Sequence, residues 1–204
     1  MTIVFDLDYT LLNTLRFEEE LAKALTLDFE EYRQSSKKYF DVQGINYNAY
    51  KHIGFLLHDD KLTKQQNSVI KNNILTLLKS TNDYLFGEAE DLLKNIKEAG
   101  HKIILLTLGD PVWQGMKINY LKINKYFDKI MLTDKDKEKV IDFLKNEKER
   151  VILVNDNAQE SLKIKKVLGN IRIILIKGPH SKNIKHNLKI HELKNVWEEI
   201  QHGN

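Results

Sequence analysis

The chain has 204 residues, 42% of them hydrophobic and 30% charged, which is the balance of an ordinary folded globular protein rather than a disordered one. Its 32 basic and 29 acidic residues leave a net charge of +3 and are interleaved rather than blocked, so no nucleic-acid partner is expected. The absence of cysteine excludes disulfides, thiolate metal sites and cysteine nucleophiles, and no segment approaches the roughly 20 apolar residues of a membrane span.

In chain order, Met1 to Leu7 reads as a buried strand, and Asp6 and Asp8 break its apolar run too early for a secretory leader. A cytoplasmic location is the expectation. From roughly Leu15 to Tyr84 the pattern is helical: Phe17, Leu21, Ala24 and Leu25 recur at helical spacing, as do Ile70, Ile74, Leu77 and Leu78. Roughly three to five helices are expected there. A helix carrying Ala89, Leu92, Leu93 and Ile96 closes at Gly100. Ile103 to Leu106 reads as a strand, and Asp110-Pro111 as the cap and first turn of a helix running towards Leu121.

Ile130 to Leu132 is a weaker strand, followed by a lysine-rich helix containing Val140, Ile141 and Leu144. Val151 to Val154 is a strand, and the helix after it carries Leu162, Ile164 and Val167 and ends near Gly169. Ile171 to Ile176 is another strand, and Leu193, Val196, Trp197 and Ile200 mark a last helix. Continuous β-branched runs alternating with helices predict an α/β fold, a parallel sheet covered on both faces.

The chemistry concentrates in Val4-Phe5-Asp6-Leu7-Asp8-Tyr9-Thr10-Leu11-Leu12. Open α/β sheets bind ligands at the carboxyl ends of their strands, and this strand delivers two carboxylates there, spaced i and i+2. One can attack and bind a metal while the other handles protons. Two like charges that close call for a neutralising cation, so the electrostatics imply Mg²⁺.

Asp6-Leu7-Asp8-Tyr9-Thr10-Leu11 resembles the first motif of the haloacid dehalogenase-like (HAD) phosphatases, Asp-x-Asp-x-Thr-Leu. Ile103-Ile104-Leu105-Leu106-Thr107, followed by Leu108-Gly109, is similar to the second, a Thr or Ser ending an apolar strand. A lysine at the start of the next helix is the third, and both Lys135 and Lys137 qualify. Val151 to Asp156 with Glu160 resembles the fourth, with Asn155 where glycine is common and Glu160 where aspartate is usual. The resemblance implies a three-layer Rossmann-like core over residues 1–14 and 85–204. It also implies a helical cap of the C1 type over 15–84, inserted after the first strand.

The resemblance implies roles residue by residue. Asp6 would attack phosphorus and form an aspartyl-phosphate; Asp8 would protonate the leaving oxygen and then activate the hydrolytic water. Thr107, with backbone N–H groups at Leu108 and Gly109, would bind the phosphoryl oxygens. A lysine would neutralise the transferring group. Mg²⁺ would be held by Asp6, the Asp8 carbonyl and Asp156. Glu160 could reach the metal or one of its waters, or stand in solvent. Asn155 reads as the milder departure, since glycine offers space rather than chemistry. His180, in Lys177-Gly178-Pro179-His180, reads as a turn residue that could border the crevice.

The expected activity is Mg²⁺-dependent hydrolysis of a small phosphorylated metabolite. A phosphotransferase or phosphomutase would use the same two aspartates, and a silent binding protein could keep the fold. Dehalogenating members lack the second aspartate, which this chain has as Asp8. A phospho-acceptor receiver domain is shorter and carries its aspartate on an interior strand after an earlier acidic pair, so it does not fit an insertion of roughly 70 residues after the first strand. Substrate identity and oligomeric state are not legible.

Overall fold

The structure, a computed structural model, describes residues 1–44, 46–58, 62–145, 147 and 149–202. Thr2–Phe5 (β1) is fully buried along its length and pairs in parallel with Lys102–Leu108 (β2) on one side and Val151–Asn155 (β4) on the other. Lys129–Thr133 (β3) extends the sheet beyond β2, while Ile171–Ile176 (β5) and Ile190–His191 (β6) extend it beyond β4. The order β3-β2-β1-β4-β5-β6 is a doubly wound, Rossmann-like α/β sheet. Its strand order reverses beside β1, which places the crevice at the carboxyl ends of β1 and β4.

Alternation along the strands divides the core. Val4, Ile104, Leu106, Val151 and Leu153 pack with Ile141, Leu144 and Ile164 on one face. Ala158–Leu168 (α7) covers that side, ending at Gly169 with φ +67°. Residues of opposite parity, Ile3, Phe5 and Leu105, point the other way and are equally buried. Ala89–Glu98 (α5) packs against β2 and against Val196–His202 (α8).

The chain divides into two compact units: Met1–Asn13, Leu85–Leu108 and Ile123–Asn204 form the sheet unit, and Thr14–Tyr84 with Gly109–Lys122 form a helical unit. The helical unit contains Thr14–Ala24 (α1), Phe29–Gln43 (α2), Ala49–His58 (α3), Lys64–Lys79 (α4) and Pro111–Asn119 (α6). Capping boxes start two of these helices, Asp28 with Glu31 at α2 and Thr63 with Gln66 at α4. Asp110 caps α6, with Pro111 in its first turn, as the sequence predicts. Phe17, Leu21, Leu25, Ile53, Leu56, Ile74 and Trp113 form this unit's core.

Two differences from the sequence reading stand out. The lysine-rich helix is instead a pair of 3₁₀ turns, Lys137–Lys139 and Ile141–Leu144, interrupted where Val140 takes φ −115° and ψ −5°. In this geometry Lys137 lies in the interior, 1% exposed, rather than on an outer helix face. Strand β6 was not foreseen, since two residues carry no periodic signal. Among the described residues no helix is long and apolar enough to cross a membrane.

Candidate active site

The end of β1 builds the site. The Asp6 N–H continues the ladder to the Val154 carbonyl at 3.0 Å, so Asp6 points to the same face as Val4, towards the 3₁₀ segment. Beyond it the chain turns tightly: the Leu7 carbonyl accepts from the N–H groups of Thr10, Leu11 and Leu12 at 3.2, 2.9 and 2.9 Å. Tyr9 takes the left-handed conformation, φ 59°, at a cost of about 1 kcal/mol or more. Leu11 and Leu12 are fully buried and anchor the turn. The Thr10 hydroxyl accepts from the Asp156 N–H at 3.1 Å, tying the first motif to the end of β4.

Of the two lysines, Lys137 is the one drawn in. It is 1% exposed, and its Nζ lies 2.8 Å from Asp6 Oδ1 and 2.8 Å from Glu160 Oε2. Lys135 is exposed; its backbone N–H and carbonyl are both held by the Thr133 hydroxyl, at 3.0 and 2.9 Å. Beyond this small turn it is Lys137, not Lys135, that faces Asp6. Thr107 is fully buried near the end of β2, with Leu108 half-buried after it. Gly109 belongs to the helical unit, where a Cβ would come within 2.7 Å of Gln114 Nε2.

Burial and charge act together on the carboxylates. Burial pushes the Asp6 carboxyl up to about 7; the ammonium of Lys137 opposes this, and Glu160 and Asp8 add to it. Asp156, 2% exposed, is pushed up to about 6, first by burial, against a 3.4 Å hydrogen bond donated by the His180 N–H. Burial pushes the Lys137 pKa down, but Asp6 and Glu160 outweigh that and hold it above the ordinary lysine value. Asp8, half-buried, contributes to the field at both Asp6 and Asp156.

Two of these carboxylates, Asp6 and Glu160, are paired to one buried ammonium, with Asp156 and Asp8 in the same field, and the donor set is all oxygen. That excess of negative charge on hard oxygen ligands fits a divalent cation such as Mg²⁺. As the side chains stand, no three His, Asp or Glu groups among the described residues converge closely enough to hold a metal. Glu160 Oε2 is committed to Lys137 and to Asn155 Nδ2, each at 2.8 Å.

Three contributors were not read from the sequence. Asn155 is fully buried and hydrogen-bonded, where only space was expected. Thr10 was read as part of a motif but not as the link to Asp156. Gly178 lets the Lys177 to Ser181 loop lie against Asp156, since a Cβ there would sit 2.7 Å from Asp156 Oδ2. The signal for that loop was its Gly178-Pro179 pair, and His180, exposed, stacks edge-on with Tyr9 at 5.4 Å.

A doubly wound parallel sheet that gathers acidic groups and one lysine at the carboxyl ends of its central strands is the framework of a ligand-binding crevice in an α/β enzyme. The chain belongs to the haloacid dehalogenase-like hydrolase family, which it matches over residues 1–162. No curated protein matches it as a relative. Among solved structures it is similar to a Burkholderia xenovorans LB400 protein assigned as a haloacid dehalogenase-like hydrolase, with TM-score 0.74, 15% identity, and coverage of 98% of this chain and 96% of that one. An L-2-haloacid dehalogenase from Xanthobacter autotrophicus, bearing covalently bound chloropropionic acid, aligns with TM-score 0.66 at 12% identity, covering 98% of each chain. A Thermotoga maritima protein assigned as a β-phosphoglucomutase also gives TM-score 0.66 at 12% identity and 98% coverage of each chain. At such identities the likeness shows the shared fold.

Proposed function

We propose that this hydrolase is a Mg²⁺-dependent phosphatase acting on a small phosphorylated metabolite. The observation that carries the reading is the strand-end set Asp6, Asp8 and Asp156 with Lys137 paired to Asp6 at 2.8 Å. Asp8 favours phosphoryl transfer over dehalogenation, because a proton-handling carboxylate two residues from the nucleophile serves a leaving alkoxide and has no use for a halide.

Asp6 attacks phosphorus and takes the phosphoryl group as an aspartyl-phosphate while the ester oxygen departs with a proton from Asp8. The Asp8 carboxylate then takes a proton from water, whose oxygen cleaves the acyl phosphate and regenerates Asp6. Lys137 places positive charge beside the nucleophile and the transferring group, and Thr107 donates to a phosphoryl oxygen. Asp6, Asp156 and the Asp8 backbone carbonyl would hold Mg²⁺, which would supply the charge neutralisation for an anionic carboxylate to approach an anionic phosphate.

Release of inorganic phosphate from an aryl phosphate tests the reading, with Mg²⁺ or chelator and with wild type or Asp6→Asn. Turnover that requires both the metal and Asp6 supports it. Turnover that survives chelation or Asp6→Asn, or no phosphate release under any condition, removes it.

A further inference from the structure

The two departures from the family's fourth motif meet in one hydrogen-bond network. Asn155 closes β4 and is fully buried. Its Oδ1 accepts from the Asn157 N–H at 3.1 Å, which fixes the amide so that Nδ2 points to Glu160 Oε2 at 2.8 Å. Asn157 in turn caps α7 by accepting the Glu160 N–H at 3.0 Å, setting the backbone from which the Glu160 side chain starts. The same Oε2 receives the Lys137 ammonium at 2.8 Å, and that ammonium reaches Asp6 Oδ1 at 2.8 Å.

We infer that Asn155 and Glu160 act as one clamp that positions Lys137 against Asp6, the amide orienting the carboxylate and the carboxylate holding the ammonium. Both are positioning residues that act through Lys137. The physical reasons are specific. A glutamate carries one more methylene than an aspartate, so it spans from α7 to the lysine, but that extra torsion costs rotamer freedom and must be fixed. A buried amide donating to the same oxygen supplies the fixing. It also shares the charge load on Oε2, since a buried carboxylate is stabilised by each donor it accepts from. Glycine at 155 could supply no donor, and a glutamate without one would be free to leave the lysine.

The inference rests on the phosphatase reading for the consequence of placing Lys137, but not for the clamp itself, and the test separates them. Wild type is compared with Asn155→Ala, Asn155→Ser, Glu160→Ala and the double variant Asn155→Ala/Glu160→Ala. One readout is the rate at which an amine-acylating reagent labels Lys137, followed by peptide mass spectrometry; the other is kcat and KM for aryl phosphate. Asn155→Ser keeps an acceptor for the Asn157 N–H, and its hydroxyl, one bond shorter than the amide, falls short of the position from which Nδ2 donates to Glu160. It therefore separates a turn-forming role from the clamp and guards against misfolding of the alanine variant.

Each single variant is expected to speed Lys137 labelling at least about fivefold and lower kcat about tenfold, with KM within about twofold, because the lysine is misplaced rather than lost. The double variant should be no worse than Glu160→Ala, since the amide acts only through that carboxylate. Asn155→Ser behaving as wild type, or losses that multiply in the double variant, overturns the inference. A wild type that releases no phosphate removes the phosphatase reading, while Lys137 labelling still decides the clamp.

Discussion

Both compact units bury charged side chains, but the balance of charge differs. In the sheet unit acids outnumber the buried cation: Asp6, Lys137 and Glu160 form a chain of ion pairs, and Asp156 beside them accepts the His180 N–H at 3.4 Å. In the helical unit a buried acid is matched one to one: Asp110, 7% exposed, pairs with the exposed Lys51 at 2.7 Å and accepts from Asn48 Nδ2 at 2.9 Å. The titratable group buried most deeply there is an imidazole, His52, which is 0% exposed, bonds the Tyr47 hydroxyl at 3.1 Å through Nδ1, and lies among the rings of Tyr32, Tyr39 and Phe55. Burying charge costs far more than burying a neutral ring, and the sheet unit carries more acids than its one buried lysine can neutralise. A fold bears that cost where chemistry needs it, so the contrast separates a site from a core.

The largest effects should come from breaking the charged set. Asp6→Asn is expected to lower phosphate release on the order of 10⁴-fold. It should nonetheless leave the metal-free protein as stable as wild type or more so in urea unfolding at pH 8, because it removes an excess buried charge. Lys137→Met leaves Asp6 and Glu160 without their cation and should cost about 3 kcal/mol in the same unfolding assay. Lys135→Met, at an exposed position, should stay within about 0.5 kcal/mol. Equal effects of the two lysine substitutions would contradict the ion-pair geometry.

The pH dependence of the sheet unit follows from the raised carboxyls. The folded-state pKa values of Asp6 and Asp156, about 7 and about 6, lie above the ordinary 3.8. Between roughly pH 4 and pH 7 the folded state therefore binds more protons than the unfolded, so stability is lost as pH rises through that window. Asp6 alone accounts for about 4 kcal/mol of order-of-magnitude effect. Mg²⁺ should restore this above pH 7, by about 2.7 kcal/mol at a hundredfold excess over its Kd, and should do little near pH 4. Thermal melts with Mg²⁺ and with chelator at both pH values measure this; a shift of equal size at pH 4 would place the ion elsewhere.

Much of this was legible in the sequence because it rests on local pattern. The apolar runs mark five strands of the sheet in place, and Asp110-Pro111 marks the α6 start because capping is a property of adjacent residues. The choice between Lys135 and Lys137 was not legible: it rests on the turn at Thr133 and on a 3₁₀ turn in which Lys137 lies inward, and helical periodicity does not describe 3₁₀ geometry. The partner of Glu160 was hidden for a different reason. Its bonds to Lys137 and Asn155 join side chains 23 and 5 positions away, and a spacing rule gives no sign of which polar group a longer side chain will meet.

A further pH effect tests the other side of the contrast. Burial pushes the His52 imidazole down to about 4, from the ordinary 6.5. Between those values the unfolded chain binds a proton that the folded one refuses, so this contribution to stability is full above about pH 6.5 and is lost as pH falls towards 4. Its size is up to about 3 kcal/mol, opposite in sign to the carboxyl contribution over the same window. The two slopes oppose each other in wild type, so variants must separate them. His52→Phe should remove the acid-side loss and leave the stability of the protein falling more steeply from pH 4 to pH 7, while Asp6→Asn should remove the larger carboxyl slope and leave the histidine opposed by Asp156 only. If His52→Phe leaves the pH profile of urea unfolding unchanged, the imidazole is protonated within the fold, and its neighbours must then include an acceptor that offsets the charge.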